Sequence, residues 1–167
     1  MTTIIAGTDR KDSMTLRVAQ YYHALLLQKG VDPVELLSLE GIGAETRSAH
    51  FLDVEERILI PTERFVLVMP EYNGSFPGIL KLLIDQSNIK QVWWHKKAML
   101  VGLADGRAGN LRGLDHMTNI LNYLKVQVFW NKVPISRIAE EVDLTGDLIR
   151  EGTRKAVEDQ VMGFLSF

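Results

Sequence analysis

Thr3-Ile4-Ile5-Ala6-Gly7-Thr8-Asp9-Arg10-Lys11-Asp12-Ser13-Met14-Thr15-Leu16 is the stretch from which the architecture is read. Residues 3–6 are an apolar run of buried-strand length, followed at once by turn chemistry. From Met14 the period changes: Leu16, Ala19, Tyr22, Leu25 and Leu26 recur at helical spacing. Ser13 suits the N-cap, Lys29 the last turn and Gly30 the C′ stop, so the pattern predicts a helix over 14–29. Strand, loop, helix is the unit.

The unit repeats along the chain. Further strand-like runs fall at 34–39, 64–69, 98–104 and 126–130. Helical patterns fall at 79–87, after Pro77, at 111–124 and at 147–165, where Gly152 weakens the last. Residues 41–62 read as a loop with one short helix near 52–58. Alternation of apolar strands with helices predicts an α/β fold: a five-stranded parallel sheet with helices on both faces, in one domain over 1–167. Ligands of such sheets bind outside the carboxyl ends of the strands, so chemistry is expected after strands one, three and four.

Composition narrows the function. Apolar residues make up 46% and charged ones 24%, the balance of a soluble globular protein. Nineteen basic against 21 acidic side chains leave a net charge of −2, without the basic footprint of a nucleic-acid binder. Cysteine is absent, which excludes disulfides, zinc thiolates and a cysteine nucleophile. The N-terminus lacks a basic n-region and no apolar run is long enough to span a bilayer, so the expected place is the cytoplasm, with no membrane partner.

The first loop offers the hydroxyls of Thr8, Ser13 and Thr15 and the Arg10 guanidinium at a helix start, which suits a terminal phosphate. Its plainer reading is a turn capped by Ser13, and Asp9 and Asp12 weigh toward that. It is neither a Walker A loop nor the Gly-x-Gly-x-x-Gly fingerprint. Gly41-Ile42-Gly43 begins the latter, but Thr46 stands where its third glycine belongs. The second loop, Pro70-Glu71-Tyr72-Asn73-Gly74-Ser75-Phe76-Pro77-Gly78, sets a stiff backbone, an aromatic face at Tyr72 and a polar turn beside a flat ligand. It exceeds the two to six residues usual for such connections. The third, Leu103-Ala104-Asp105-Gly106-Arg107-Ala108-Gly109-Asn110, leaves a slot lined by small residues.

With all three loops in view, the chain resembles the NADPH-dependent FMN reductase family of flavodoxin-like proteins. The match is carried by Gly7-Thr8-x-Arg10-x-x-Ser13 and by Pro70-Glu71-Tyr72-Asn73-Gly74-Ser75-Phe76-Pro77-Gly78-Ile79-Leu80-Lys81, with a weaker match around Gly106. The resemblance implies a flavodoxin-like three-layer sandwich holding FMN. Thr8, Arg10, Ser13, Thr15 and Leu16 would serve the phosphate. Pro70, Glu71, Tyr72, Asn73 and Gly74 would lie along the isoalloxazine, and Ala104, Asp105, Gly106, Arg107 and Gly109 would close its other edge. It implies hydride transfer from NAD(P)H to flavin N5 and on to a second acceptor: free flavin, quinone, azo compound or metal oxyanion. It also implies a homodimer or higher homo-oligomer. The family often has serine near Asp105; a carboxylate there either points outward or lowers the flavin potential.

No side chain is assigned a catalytic role, and no metal site is expected, because His23, His50, His95 and His116 include no pair at metal-ligand helical spacing. Backbone N–H groups of the Asn73–Gly74 turn are expected to stabilise charge on the reduced ring. Trp93-Trp94 reads as core packing for at least one of the two. The rival readings are a flavodoxin-type electron carrier, which near-neutral charge disfavours, a flavin-binding sensor, and a nicotinamide-binding enzyme with Glu40 on a ribose.

Overall fold

The computed structural model describes residues 1–43, 47–143 and 145–167; Thr46 lies outside them. Strands β1 (Thr2–Ala6), β2 (Val34–Ser38), β3 (Arg64–Pro70) and β4 (Lys97–Ala104) pair in parallel in the order β2-β1-β3-β4. This is the flavodoxin-like order, with its switch point between β1 and β3. Alternate residues divide between two cores. Ile5, Phe65, Leu67, Met69 and Leu100 face one side, and Ile4, Ala6, Val66, Val68, Met99 and Val101 face the other. Burial on both faces is why these strands read as continuous apolar runs.

The helices follow their patterns closely. α1 (Met14–Gln28) is capped by Ser13 and ends at Lys29, with Gly30 at φ +79° just beyond. α2 (Ala49–Val54) starts at Ser48 and runs on into a π-helical turn, Glu55–Leu59, so the helix in 41–62 begins earlier than its apolar pattern suggests. α3 (Gly78–Gln86) and a short α4 (Ile89–Val92) lead to Trp93, which is buried, lies 4.7 Å from the Phe65 ring and donates to Ser87 Oγ at 2.6 Å. α5 (Leu111–Tyr123) and α6 (Glu151–Ser166) complete the layers. α6 starts four residues later than predicted because Val142 is bridged to Leu148 and the Asp143 N–H donates to Asp147 O at 3.0 Å, which holds Asp147 and Leu148 outside the helix. Gly152 therefore sits in its first turn, where it costs little.

The fifth strand is the main correction. The predicted run 126–130 is cut to β5 (Gln127–Val128), which pairs with Lys97 and Ala98. Phe129 N–H still donates to Ala98 O at 2.8 Å; the chain then leaves the ladder over 130–132 and returns as β6 (Val133–Ser136), paired with Val101 to Ala104. Among the described residues six strands thus fill five positions. The break is held by Gln160 of α6, whose Nε2 donates to Leu100 O and Asn131 O at 2.9 Å each, while its Oε1 accepts from the Tyr22 hydroxyl at 2.7 Å. A buried carboxamide replaces the missing ladder bonds.

Candidate functional site

β1, β3 and β4 are neighbours, so their carboxyl-end loops emerge side by side. The first leaves β1 at Gly7, where an added Cβ would stand 2.9 Å from Val68 O; only a bare backbone fits. Thr8 is buried, and its Oγ1 lies 2.7 Å from the Tyr72 hydroxyl and accepts the Arg10 N–H at 3.3 Å. Ser13 Oγ accepts the Leu16 N–H at 3.1 Å, and the Ser13 carbonyl accepts that of Arg17 at 3.2 Å. The amides of Met14 and Thr15, the first two of α1, have no intrahelical acceptor, and they sit at the positive end of its dipole.

The second loop opens with Glu71 N–H donating to Leu103 O at 2.7 Å. Tyr72 and Ser75 exchange two backbone bonds, at 2.8 and 3.1 Å, around Asn73 at φ +52° and Gly74 at φ +79°. This is the type I′ turn that an Asn-Gly pair favours, and its bonds leave the Asn73 and Gly74 N–H groups outside the pairing. Ser75 Oγ lies 2.9 Å from His116 Nδ1 of α5.

The third loop is pinned from below. Gly106 O accepts the Arg137 N–H at 3.0 Å. Asn110, buried at φ +63°, caps α5 by accepting the Gly113 N–H at 3.1 Å and reaches Met69 O with its Nδ2 at 3.0 Å. That tie between β3 and the third loop was not foreseen. Its sequence signal is the asparagine just before an apolar helical run.

The three loops meet around one cavity of about 430 Å³, within the range of small-molecule sites. Of the predicted residues, Arg10, Ser13, Thr15, Pro70, Glu71, Tyr72, Asn73, Ala104 and Asp105 line it. Thr8 is buried beside the wall, the partly buried Leu16 packs against the core, and Gly74, Gly106, Arg107 and Gly109 are off the lining. Lys11, Met14, Leu103 and Ile138 line it without having been predicted. Ile138 follows β6, whose position depends on the split strand, so no local pattern announces it. Among the described residues no group of three or more His, Asp or Glu side chains is placed to hold a metal ion, and no helix is long and apolar enough to cross a membrane.

The donor set fits a phosphorylated, flat ligand. One end of the cavity gathers orphan amides, two hydroxyls and the cations of Arg10 and Lys11; the other has a stiff turn with outward N–H groups and apolar walls from Leu103, Ala104 and Ile138.

Known proteins resemble this chain in sequence and in fold. The family model described as NADPH-dependent FMN reductase matches residues 2–140. A 2-hydroxy-1,4-benzoquinone reductase from a Burkholderia species is 25% identical, over 93% of this chain and 88% of that protein. An NAD(P)H-dependent FMN reductase of Pseudomonas aeruginosa is 27% identical, over 89% and 88%. Among solved structures, the flavoenzyme NAD(P)H:(acceptor) oxidoreductase FerB of Paracoccus denitrificans superposes with a TM-score of 0.81 at 21% identity, over 99% of this chain and 94% of that one.

Proposed function

Because the chain belongs to the NADPH-dependent FMN reductase family, we propose that the rim cavity is its FMN seat, with the phosphate at the first loop and the ring along the second and third. The protein is an FMN-dependent oxidoreductase with NAD(P)H as its electron donor. The observation that carries the seat is the meeting of three distant segments, around residues 10–15, 70–73 and 103–105, on one cavity wall.

The Met14 and Thr15 amides, the Ser13 and Thr15 hydroxyls and the Arg10 and Lys11 cations supply the donors a phosphate needs. Of the Asn73–Gly74 turn, Asn73 lines the cavity, and its backbone N–H would meet the polar edge of the ring and favour negative charge on the reduced cofactor. Bound FMN supplies the redox chemistry, two-electron transfer from NAD(P)H to a second acceptor. No acid, base or nucleophile from the chain is assigned. The acceptor we favour is a quinone, the class named for the Burkholderia relative; free flavin, azo compounds and metal oxyanions also suit an open ring face.

We further propose a cytoplasmic homodimer, with α3 and α5, which flank the second loop, at the interface; Leu111 at the start of α5 is exposed there. Sedimentation at high protein concentration tests the dimer, and a monomer would reject it. The central experiment is the colour and turnover of the purified protein. A yellow sample that releases FMN on denaturation and oxidises NAD(P)H many times over with benzoquinone is expected. Failure to take up added FMN would overturn the seat. Bound flavin reduced without turnover against any acceptor would point to an electron carrier.

A further inference from the structure

Two loops from different strands hold one another at the cavity wall. Tyr72 places its hydroxyl on Thr8 Oγ1 at 2.7 Å, and the same Thr8 oxygen accepts the Arg10 N–H. The Arg10 guanidinium carbon lies 4.4 Å from the centre of the Tyr72 ring. Thr8, Arg10 and Tyr72 thus form a closed triangle of contacts, with Thr8 buried, Tyr72 half-buried and Arg10 exposed. Among the described residues Arg10 makes no ion pair, so its charge stays available to an anion.

An aromatic face under a guanidinium is not free for a flat ligand. One side of the Tyr72 ring, expected from sequence to lie along the ligand, is already taken. We propose that Tyr72 is a positioning residue for the phosphate end of the cofactor: it stations the Arg10 guanidinium beside the start of α1 instead of stacking on the tricycle. An arginine side chain loses much rotamer freedom when fixed. A cation–π contact in the free protein meets that cost before binding, and pre-organisation of this kind appears as affinity. Thr8 keeps the arrangement in register by gripping the Arg10 backbone and the Tyr72 hydroxyl at once. The two loops therefore act on the phosphate as one unit. This inference rests on the FMN seat proposed above.

The test compares FMN with riboflavin, which lacks the phosphate. The full chain, stripped of flavin, is titrated with each, following flavin fluorescence. Tyr72→Leu is expected to weaken FMN by about tenfold while changing riboflavin by less than about twofold. Tyr72→Phe, which keeps an aromatic ring under the guanidinium, should restore the FMN preference to within about threefold of wild type. Arg10→Gln should match Tyr72→Leu, and the double variant should bind FMN no more weakly than Arg10→Gln alone. Equal losses for both flavins in Tyr72→Leu would place the ring against the tricycle and overturn the proposal, as would additive losses in the double variant. Tyr72→Met, closer in volume, serves if Tyr72→Leu does not fold. A wild type that binds neither flavin overturns the seat and this proposal together; a wild type that binds FMN, with variants that fail the pattern, overturns only the positioning role.

Discussion

At Gly109 the backbone runs at φ +55°, and a Cβ there would stand 2.6 Å from the Pro134 carbonyl carbon. The third loop lies against β6 only because this residue has no side chain. Gly109→Ala is expected to cost about 1–3 kcal/mol from left-handed strain and the forced retreat of β6, which scanning calorimetry would read as a lowered Tm. Asp105 belongs to the same loop and lines the cavity while remaining exposed. A carboxylate at that wall disfavours added negative charge on a reduced ring. Asp105→Asn is therefore expected to raise the midpoint potential of the bound flavin, by roughly 20 mV per kcal/mol of repulsion removed for a two-electron couple; an unchanged or lowered potential in spectroelectrochemistry would show that the carboxylate does not act on the ring. Residue types at these positions were legible in the sequence, but their burdens were not. Gly109 read as a slot-forming residue, whereas its contacts are with β6, and Asn110 drew no notice although it ties β3 to the third loop.

The split fifth strand shows where element-scale reading reaches its limit. Residues 126–130 carry the branched and aromatic side chains of a strand, and their composition alone gives no reason to stop at Val128. The reason lies far off in sequence, at Gln160, which stands on the buried stripe of α6 with Val157, Val161 and Phe164. One polar side chain on such a stripe is the available signal, and it names no partner. Gln160→Leu strands the Tyr22 hydroxyl and the Leu100 carbonyl in the interior and is expected to destabilise by about 2–5 kcal/mol. Tyr22→Phe removes only one of those bonds and should cost about 1 kcal/mol; chemical denaturation of both separates a polar splice from simple packing, which would rank them alike. The turn before α6 gives a pH signature. Asp143 has its carboxyl held below the usual range, first by the Thr145 hydroxyl and then by the Asp147 amide. A depressed folded value means that the contribution is present above the unfolded value, near 3.9, and is lost as pH falls through the folded one. Asp143→Asn should therefore flatten the acid limb of the stability curve below about pH 4 and leave its neutral plateau shape unchanged; an acid limb identical to wild type would remove the turn from the account.

Across the whole molecule, the features that were legible are those set by period and neighbour order. Two-sided apolar strands dictate a covered parallel sheet, and the order β2-β1-β3-β4 brings the ends of β1, β3 and β4 to one rim. From that order the meeting of Arg10, Tyr72 and Asp105 at one cavity follows. The cavity's fourth wall did not, because Ile138 depends on where the split strand returns. The same layout predicts how the cofactor bears on stability. Its walls are mostly loops, tied to the sheet and to one another by single contacts such as Asn110 to Met69 and Tyr72 to Thr8, and not by the layers of Ile, Val and Leu that hold the strands. Loops of this kind open at lower free energy than the core. A ligand that binds only the assembled rim stabilises the native chain by about 2.7 kcal/mol at a concentration 100 times its Kd. For a chain of this length each kcal/mol is worth roughly 2–4 °C in Tm. Adding FMN to flavin-free protein at that excess should accordingly raise Tm by about 5–11 °C. Hydrogen exchange should slow at residues around 8–15, 71–75 and 105–110 and hardly change in β1 and β3. Uniform protection across the sheet, or no thermal shift at saturating FMN, would mean that the loops do not close the site.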